Sequence, residues 1–216
     1  IGSATANFIY PEISHRDDWA NFVRHIYKKD NKNIIISTKD NNLYIFNPQN
    51  GSIRFEKEMK SCVYSYFIDN KGHTWIGTRG GGLYVDGIKY TQKDKIHNIP
   101  ANDIYDIGED KMGRIWIATW EGGLLMTTYN EGKPLQYKQY LKRSFKESRI
   151  HDLEFGKNGE LWIATNNGLY YVNTNNRLIT DKSFISYNTF NGQLPNDEII
   201  CLEYTREGRL WLGALG

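Results

Sequence analysis

Four tryptophans recur in this chain inside one short phrase, and that recurrence constrains the fold more than any other feature. The phrase reads Asp-Asn-Lys-Gly-His-Thr-Trp-Ile-Gly-Thr at 69–78 and Asp-Lys-Met-Gly-Arg-Ile-Trp-Ile-Ala-Thr at 110–119. It returns as Gly-Lys-Asn-Gly-Glu-Leu-Trp-Ile-Ala-Thr at 156–165 and Thr-Arg-Glu-Gly-Arg-Leu-Trp-Leu-Gly-Ala at 205–214. Gly72, Gly113, Gly159 and Gly208 stand three residues before Trp75, Trp116, Trp162 and Trp211. Val63, Ile104, Ile150 and Ile199 stand twelve before them, and Leu83, Leu124 and Leu169 follow the first three. A weaker copy centres on Ile35, with Val23, Thr38 and Leu43 in register and Lys32 where the others carry glycine. Successive centres lie 40, 41, 46 and 49 residues apart. Such a period, filled with short apolar runs and glycine turns, is that of propeller blades.

Each repeat reads as four strands. Val63–Asp69 or Ile104–Glu109 forms the first, and the Asp-x-x-Gly turn leads back into Trp-Ile-Gly-Thr as the second. Small residues at Gly77, Ala118, Ala164 and Gly213 leave room for a neighbouring sheet. A glycine bend opens a third strand such as Leu83-Tyr84-Val85, and a more polar edge strand such as Ile88-Lys89-Tyr90 ends the unit. The chain is therefore expected to be all-β, a β-propeller of four-stranded antiparallel blades with about five repeats over 1–216. Trp75, Trp116 and Trp162 are expected to be buried between blades, and the Lys32 turn to be looser. Ile1-Gly2-Ser3 with Phe8 matches the stretch from Ile76 to Leu83, so the pattern opens inside a second strand and stops at Gly216 in the same phase. A piece of a larger ring is expected, with exposed blade edges and a possible homodimer; five blades closing on themselves is the alternative.

Composition excludes several function classes. Lys and Arg total 27 against 25 Asp and Glu, a net charge of +2 with no long like-charge run, so nothing points to nucleic acid. No apolar run approaches the length of a membrane span. Cys62 and Cys201 fall at non-equivalent points of different repeats and read as buried free thiols. The five histidines show no metal-ligand spacing, and no nucleophile elbow or phosphate loop occurs, so no metal or cofactor is expected. His73 shares a turn position with Arg114, Glu160 and Arg209 and reads as a solvated turn residue. His151 lies on the innermost strand, equivalent to Tyr64, Tyr105 and Ile200. Asp106 and Asp152 share another inner position, where they either flank a channel or bond to neighbouring strands.

The best candidates for function are loops. In a four-stranded blade, the bend after the second strand and the connection into the first open on one face. That face receives Arg79, Trp120, Glu121, Asn166 and Asn167 from bends, and His97, Asn98, Asn102, Asp103, Arg149, Asn196 and Asp197 from connections. An exposed aromatic among amides, carboxylates and guanidiniums suits a sugar, whose ring packs on the indole while its hydroxyls meet the polar groups. Trp120 stands out because its counterparts are Arg79, Asn166 and Leu215, so the repeat itself does not require a tryptophan there. Plugging a groove between blades is the competing role.

The unit, from its β-branched residue through Asp-x-x-Gly-x-x-Trp-Ile-Gly-Thr to Gly-Gly-Leu, resembles the two-component regulator propeller repeat across essentially the whole chain. It is strongest at Trp75 and Trp116 and most degenerate at Ile35. The resemblance implies the periplasmic sensor region of a Bacteroides-type hybrid two-component regulator, with seven-bladed propellers outside the membrane and a histidine kinase beyond it. It implies an oligosaccharide or small sugar as ligand, the rest of the receptor chain as partner, and no catalysis in this segment. A protein-interaction scaffold is the alternative reading. A propeller enzyme like streptogramin lyase is a further one, with His151 and Asp106 or Asp152 as its only acid–base set.

Overall fold

The computed structural model describes residues 22–131, 133–140 and 149–215. The expected partial blade at Ile1–Ser3 and Phe8 lies outside the described residues, as does Gly216. The chain divides into two compact units, Ile1–Val63 and Tyr64–Gly216.

The first unit holds one antiparallel sheet of β1 (Val23–Lys28), β2 (Ile34–Thr38), β3 (Asn42–Phe46) and β4 (Ile53–Glu58), in sequential order. Ile35, in the tryptophan position, is buried with Leu43 and Tyr44. The turn between β1 and β2 is not loose. Asp30 replaces the glycine device, its Oδ1 accepting the backbone N–H groups of Lys32 and Asn33 at 2.7 and 2.8 Å.

The second unit repeats the same construction. One sheet is β5 (Val63–Ile68), β6 (Thr74–Thr78), β7 (Gly82–Val85) and β8 (Ile88–Tyr90). The next is β9 (Ile104–Glu109), β10 (Ile115–Thr119), β11 (Leu124–Thr127) and β12 (Tyr137–Tyr140). A third is β13 (Ile150–Phe155), β14 (Glu160–Thr165), β15 (Gly168–Asn173) and β16 (Ile185–Tyr187). The last described sheet is a pair, β17 (Ile199–Tyr204) and β18 (Leu210–Ala214). These are the expected blades, each a meander of neighbouring strands.

The aspartate of the repeated phrase explains why the spacing is strict. Asp110 Oδ1 accepts the N–H groups of Met112 and Arg114, closing the turn. Its Oδ2 accepts Trp116 Nε1–H and Arg114 Nε–H, both at 2.7 Å. Asp69 does the same for Lys71, His73 and Trp75, with Gly72 at φ +90° supplying the left-handed corner. One carboxylate thus fixes a turn and satisfies an indole that would otherwise be buried with an unpaired donor.

Packing between blades uses the small residues as expected. A Cβ on Gly77 would stand 2.7 Å from Ile104 Cγ2 of the next sheet. Trp75 lies in a core with Ile104, Ile107, Ile115, Ile117 and Leu125 of that sheet, and Trp116 in one with Ile150, Leu153, Leu161, Ile163 and Val172. Both indoles are fully buried.

Trp162, the cysteines and His73 depart from expectation. Trp162 is only half-buried, because the β17–β18 pair covers it mainly with Ile199, Leu202 and Leu210 and offers no third strand among the described residues. Its phrase begins with Gly156 instead of aspartate, and Nε1 is left without a hydrogen-bond partner. The cysteines are free, but Cys201 is exposed on β17 and Cys62 is half-buried. His73 is not simply solvated: it is half-buried, its Nδ1 lies 2.7 Å from Asp86 Oδ2, and its ring meets Tyr129 edge-on. Arg114, at the same turn position, is buried and donates to the carbonyls of Thr174 and Asn176, tying its blade to the next.

Candidate ligand face

Backbone bonds place the bends and connections together on one rim. Trp120 N–H donates to Asp103 O at 3.0 Å, Asn166 N–H to Arg149 O at 3.2 Å, and Leu215 N–H to Glu198 O at 3.0 Å. Gly82 N–H reaches Asn102 O and Gly168 N–H reaches Asp197 O, tying each third strand to the connection that follows its blade. Both glycines have positive φ, and a Cβ on either would strike a carbonyl of its blade's edge strand, Tyr90 O or Tyr187 O. The rim is thus held by main chain, leaving side chains to vary.

Several candidate side chains contribute to that rigidity. Asn102 Oδ1 accepts Gln92 N–H, and Asp103 Oδ1 accepts Gly80 N–H at 2.9 Å. Asn166 Oδ1 accepts Arg149 N–H at 2.8 Å. Asp197 accepts both the N–H and the hydroxyl of Thr189, and Asn98 donates to Gln92 O. Asn196 accepts Glu198 N–H and donates to Leu215 O. His97 is half-buried against Tyr90. Arg79, Glu121, Asn167 and Arg149 are exposed, and Trp120 is half-buried.

What the structure adds is an aromatic row. Tyr64 on β5, Tyr105 on β9 and His151 on β13 occupy equivalent inner positions, and all three are half-buried. Tyr64 and Tyr105 meet edge-to-face at 5.0 Å, and Tyr105 and His151 at 6.1 Å. Trp120 lies against Tyr105 at 5.2 Å, with the rings tilted by 31°. The Arg149 guanidinium sits 3.8 Å from the centre of the Trp120 indole, so that face of the ring is covered by a cation instead of standing open. Arg79 Nη1 donates to Tyr64 Oη at 3.4 Å.

The electrostatics of the row follow from this packing. Burial, helped by Tyr64, pushes the Tyr105 hydroxyl up to about 12, against the opposing pull of Arg79 and Arg149. Burial lowers the His151 pKa, so its ring is neutral near pH 7, and its buried Nε2 has no hydrogen-bond partner. The row was readable as a shared strand register; its contact with Trp120 was not, since that depends on how a bend folds over the strand ends.

The inner carboxylates serve the fold. Asp106 Oδ2 accepts Leu153 N–H at 3.0 Å and Asp152 Oδ2 accepts Leu202 N–H at 2.6 Å, each latching the next blade's inner strand. Burial raises both pKa values, and for Asp106 the charge of Asp152 adds to it. Among the described residues, no three His, Cys, Asp or Glu side chains converge as metal ligands. No described helix is long and apolar enough to cross a membrane.

The two-component regulator propeller family model matches residues 98–121 and 193–216, the connection, inner strand and tryptophan strand of two repeats. These segments are two-component regulator propeller repeats. Among solved structures, the extracellular domain of a B. thetaiotaomicron hybrid two-component system is similar at 27% identity, with a TM-score of 0.68. The match covers 89% of this chain and 26% of that one, so the chain spans about a quarter of the length of that relative. A Porphyromonas gingivalis surface component of the type-IX secretion system shares the fold at 17% identity and TM-score 0.64, over 95% of this chain and 33% of that one. Virginiamycin B lyase from Staphylococcus aureus does so at 16% and 0.62, over 90% of this chain and 64% of that one. No curated protein matches the chain. At those identities the last two speak for the fold alone, and the regulator propeller stands as the reading of the repeat.

Proposed function

We infer that this regulator propeller is part of the periplasmic sensor region of a hybrid two-component receptor, and that it recognises an oligosaccharide or small sugar released from a glycan. The observation that carries the reading is the rim of Tyr64, Tyr105 and Trp120 flanked by Arg79, Glu121, Asn167 and Arg149, on a propeller with two-component regulator repeats and a fold similar to the extracellular domain of a hybrid two-component system. Aromatic edges and faces pack against sugar rings, and exposed amides, carboxylates and guanidiniums bond to hydroxyls. Asn102, Asp103 and Asn166 hold the rim in shape. The partner is then the rest of the receptor chain, with a histidine kinase beyond the membrane and pairing of two receptors as the natural output. No catalytic step is assigned to this segment: Asp106 and Asp152, the acids that could pair with His151, are engaged by inner-strand N–H groups.

The test is calorimetry of oligosaccharides from several plant and host glycans against the full-length receptor ectodomain, native and Trp120→Ala. Losing a central aromatic should weaken binding by about 1–3 kcal/mol while moving the melting temperature by only a few degrees, roughly. Unchanged affinity with a large drop in melting temperature would make Trp120 a packing residue and remove this face from the reading.

A further inference from the structure

Two guanidiniums border the aromatic row, and neither makes an ion pair among the described residues. Arg149 is exposed, with its guanidinium carbon 3.8 Å from the centre of the Trp120 indole, which braces the fork against the ring. Arg79, equally exposed, is steadied by the Tyr64 hydroxyl. Between them stands Tyr105, in contact with Tyr64 on one side and Trp120 on another. Both arginine charges act on the Tyr105 hydroxyl, which places the row inside the field of two cations. Asp103, which accepts Gly80 N–H, acts on both Arg79 and Tyr105 and offsets part of that field without forming an ion pair, and the exposed Glu121 forms none among the described residues. In a chain whose net charge is only +2, a pair of unpaired arginines buttressed by aromatic groups is a local concentration of positive charge. Beside them the His151 ring meets Tyr105 edge-on, and its buried Nε2 lacks a partner among the described residues.

We propose that this site takes an acidic sugar unit, one bearing a carboxylate or a sulfate, whose anionic group is held by Arg149 and Arg79 while the sugar ring rests on the Tyr105 and Trp120 rings. An arginine fork matches the oxygens of a carboxylate or sulfate and donates two parallel hydrogen bonds to them. Stacking on the indole settles the fork in place before binding, which lowers the entropy lost when the anion arrives. The Tyr105 hydroxyl remains protonated and can donate to the ligand throughout the neutral range. This inference rests on the glycan-recognition reading and narrows it to charged fragments.

The experiment uses the full-length receptor ectodomain and three probes: oligogalacturonides, sulfated chondroitin disaccharides and neutral cello-oligosaccharides, titrated at low and high salt. At least one acidic probe should bind, with affinity that falls as salt rises. Arg149→Gln and Arg79→Gln should each weaken it by about tenfold or more, with unchanged melting temperatures, whereas Lys182→Gln on the outer edge should not. The carboxylate and sulfate arms tell the two anion sources apart. Binding of neutral probes alone, or acidic binding indifferent to both arginine substitutions, overturns the acidic-ligand inference and leaves glycan recognition standing. Failure of every probe to bind overturns both.

Discussion

Trp116 and Trp211 sit in nearly the same local phrase, each after a turn closed by glycine and each on the second strand of its sheet. Yet Trp116 is completely buried and Trp211 is 63% exposed. The difference is made elsewhere. Trp116 is covered by Ile150, Leu153, Leu161, Ile163 and Val172 from three strands of the following sheet. Trp162, covered by a two-stranded sheet, stands between the two extremes. A propeller tryptophan is therefore positioned by its own blade but buried by the next, and its energetic weight is a property of the neighbour.

The largest expected effect tests that division directly. Trp116→Ala should remove about 3–5 kcal/mol of stability, enough to unfold a marginal domain, because the cavity is walled by two sheets. Trp211→Ala in the same chain should change stability by no more than about 0.5 kcal/mol. Equal losses in denaturant titrations would mean that burial by the following blade is not what matters.

The aspartate of the phrase gives the next contrast. Asp110→Ala would leave the indole N–H of Trp116 without its acceptor and the buried Arg114 guanidinium without its counter-charge, a loss of about 3–5 kcal/mol. The reverse change can be made where the chain departs from its own pattern. Gly156→Asp combined with Glu160→Ala would supply an acceptor for the orphaned Trp162 Nε1. The second substitution is needed because a Cβ on Gly156 would come within 2.5 Å of Glu160 Oε2. A gain of up to about 1 kcal/mol is expected; a net loss would show that Glu160, which accepts Asn158 N–H, has become indispensable to the turn.

These pairs also show why the fold was readable and the site less so. Gly72, Asp69 and Trp75 lie within seven residues, so a single turn writes its chemistry into contiguous sequence and repeats it with every blade. The register of Tyr64, Tyr105 and His151 was equally plain, being a count along equivalent strands. Features that join distant positions left no such mark. Arg114 looks like a turn residue until its guanidinium is found on the carbonyls beyond β15, 60 residues on. Trp120 reads as an open platform until Arg149 is found stacked on it. Cys201 reads as buried because cysteine usually is, and it is exposed here because its strand lies in the least covered sheet.

The smallest effect concerns the inner strands, where the blades are joined by carboxylates instead of apolar groups. Asp106 and Asp152 accept N–H groups of the next inner strand, and Glu154 Oε1 accepts Tyr204 N–H at 3.1 Å. The charged groups facing one another across β9, β13 and β17 are Asp106, Asp152, Glu154 and Glu203, with the Ser65 hydroxyl of β5 donating to Asp106. No cation appears among the influences on Asp106, Asp152 and Glu154, and burial is the leading cause for each of these three, lifting Glu154 from 4.5 to about 7. A carboxyl whose pKa is higher folded than unfolded makes the native state bind more protons in the interval between the two values. Stability should therefore fall as pH rises from about 4.5 towards 7, by on the order of 1 kcal/mol once solvent screening of these half-buried groups is allowed for. Ionisation strengthens the N–H bonds these carboxylates accept, but burial and the repulsion between neighbouring carboxylates outweigh that gain. Asp106→Asn should flatten the slope by removing one charge while keeping an oxygen for Leu153 N–H. Melting temperatures measured from pH 4.5 to 8 decide it: a rise with pH, or a slope untouched by Asp106→Asn, would mean that the inner strands are held without a charge penalty.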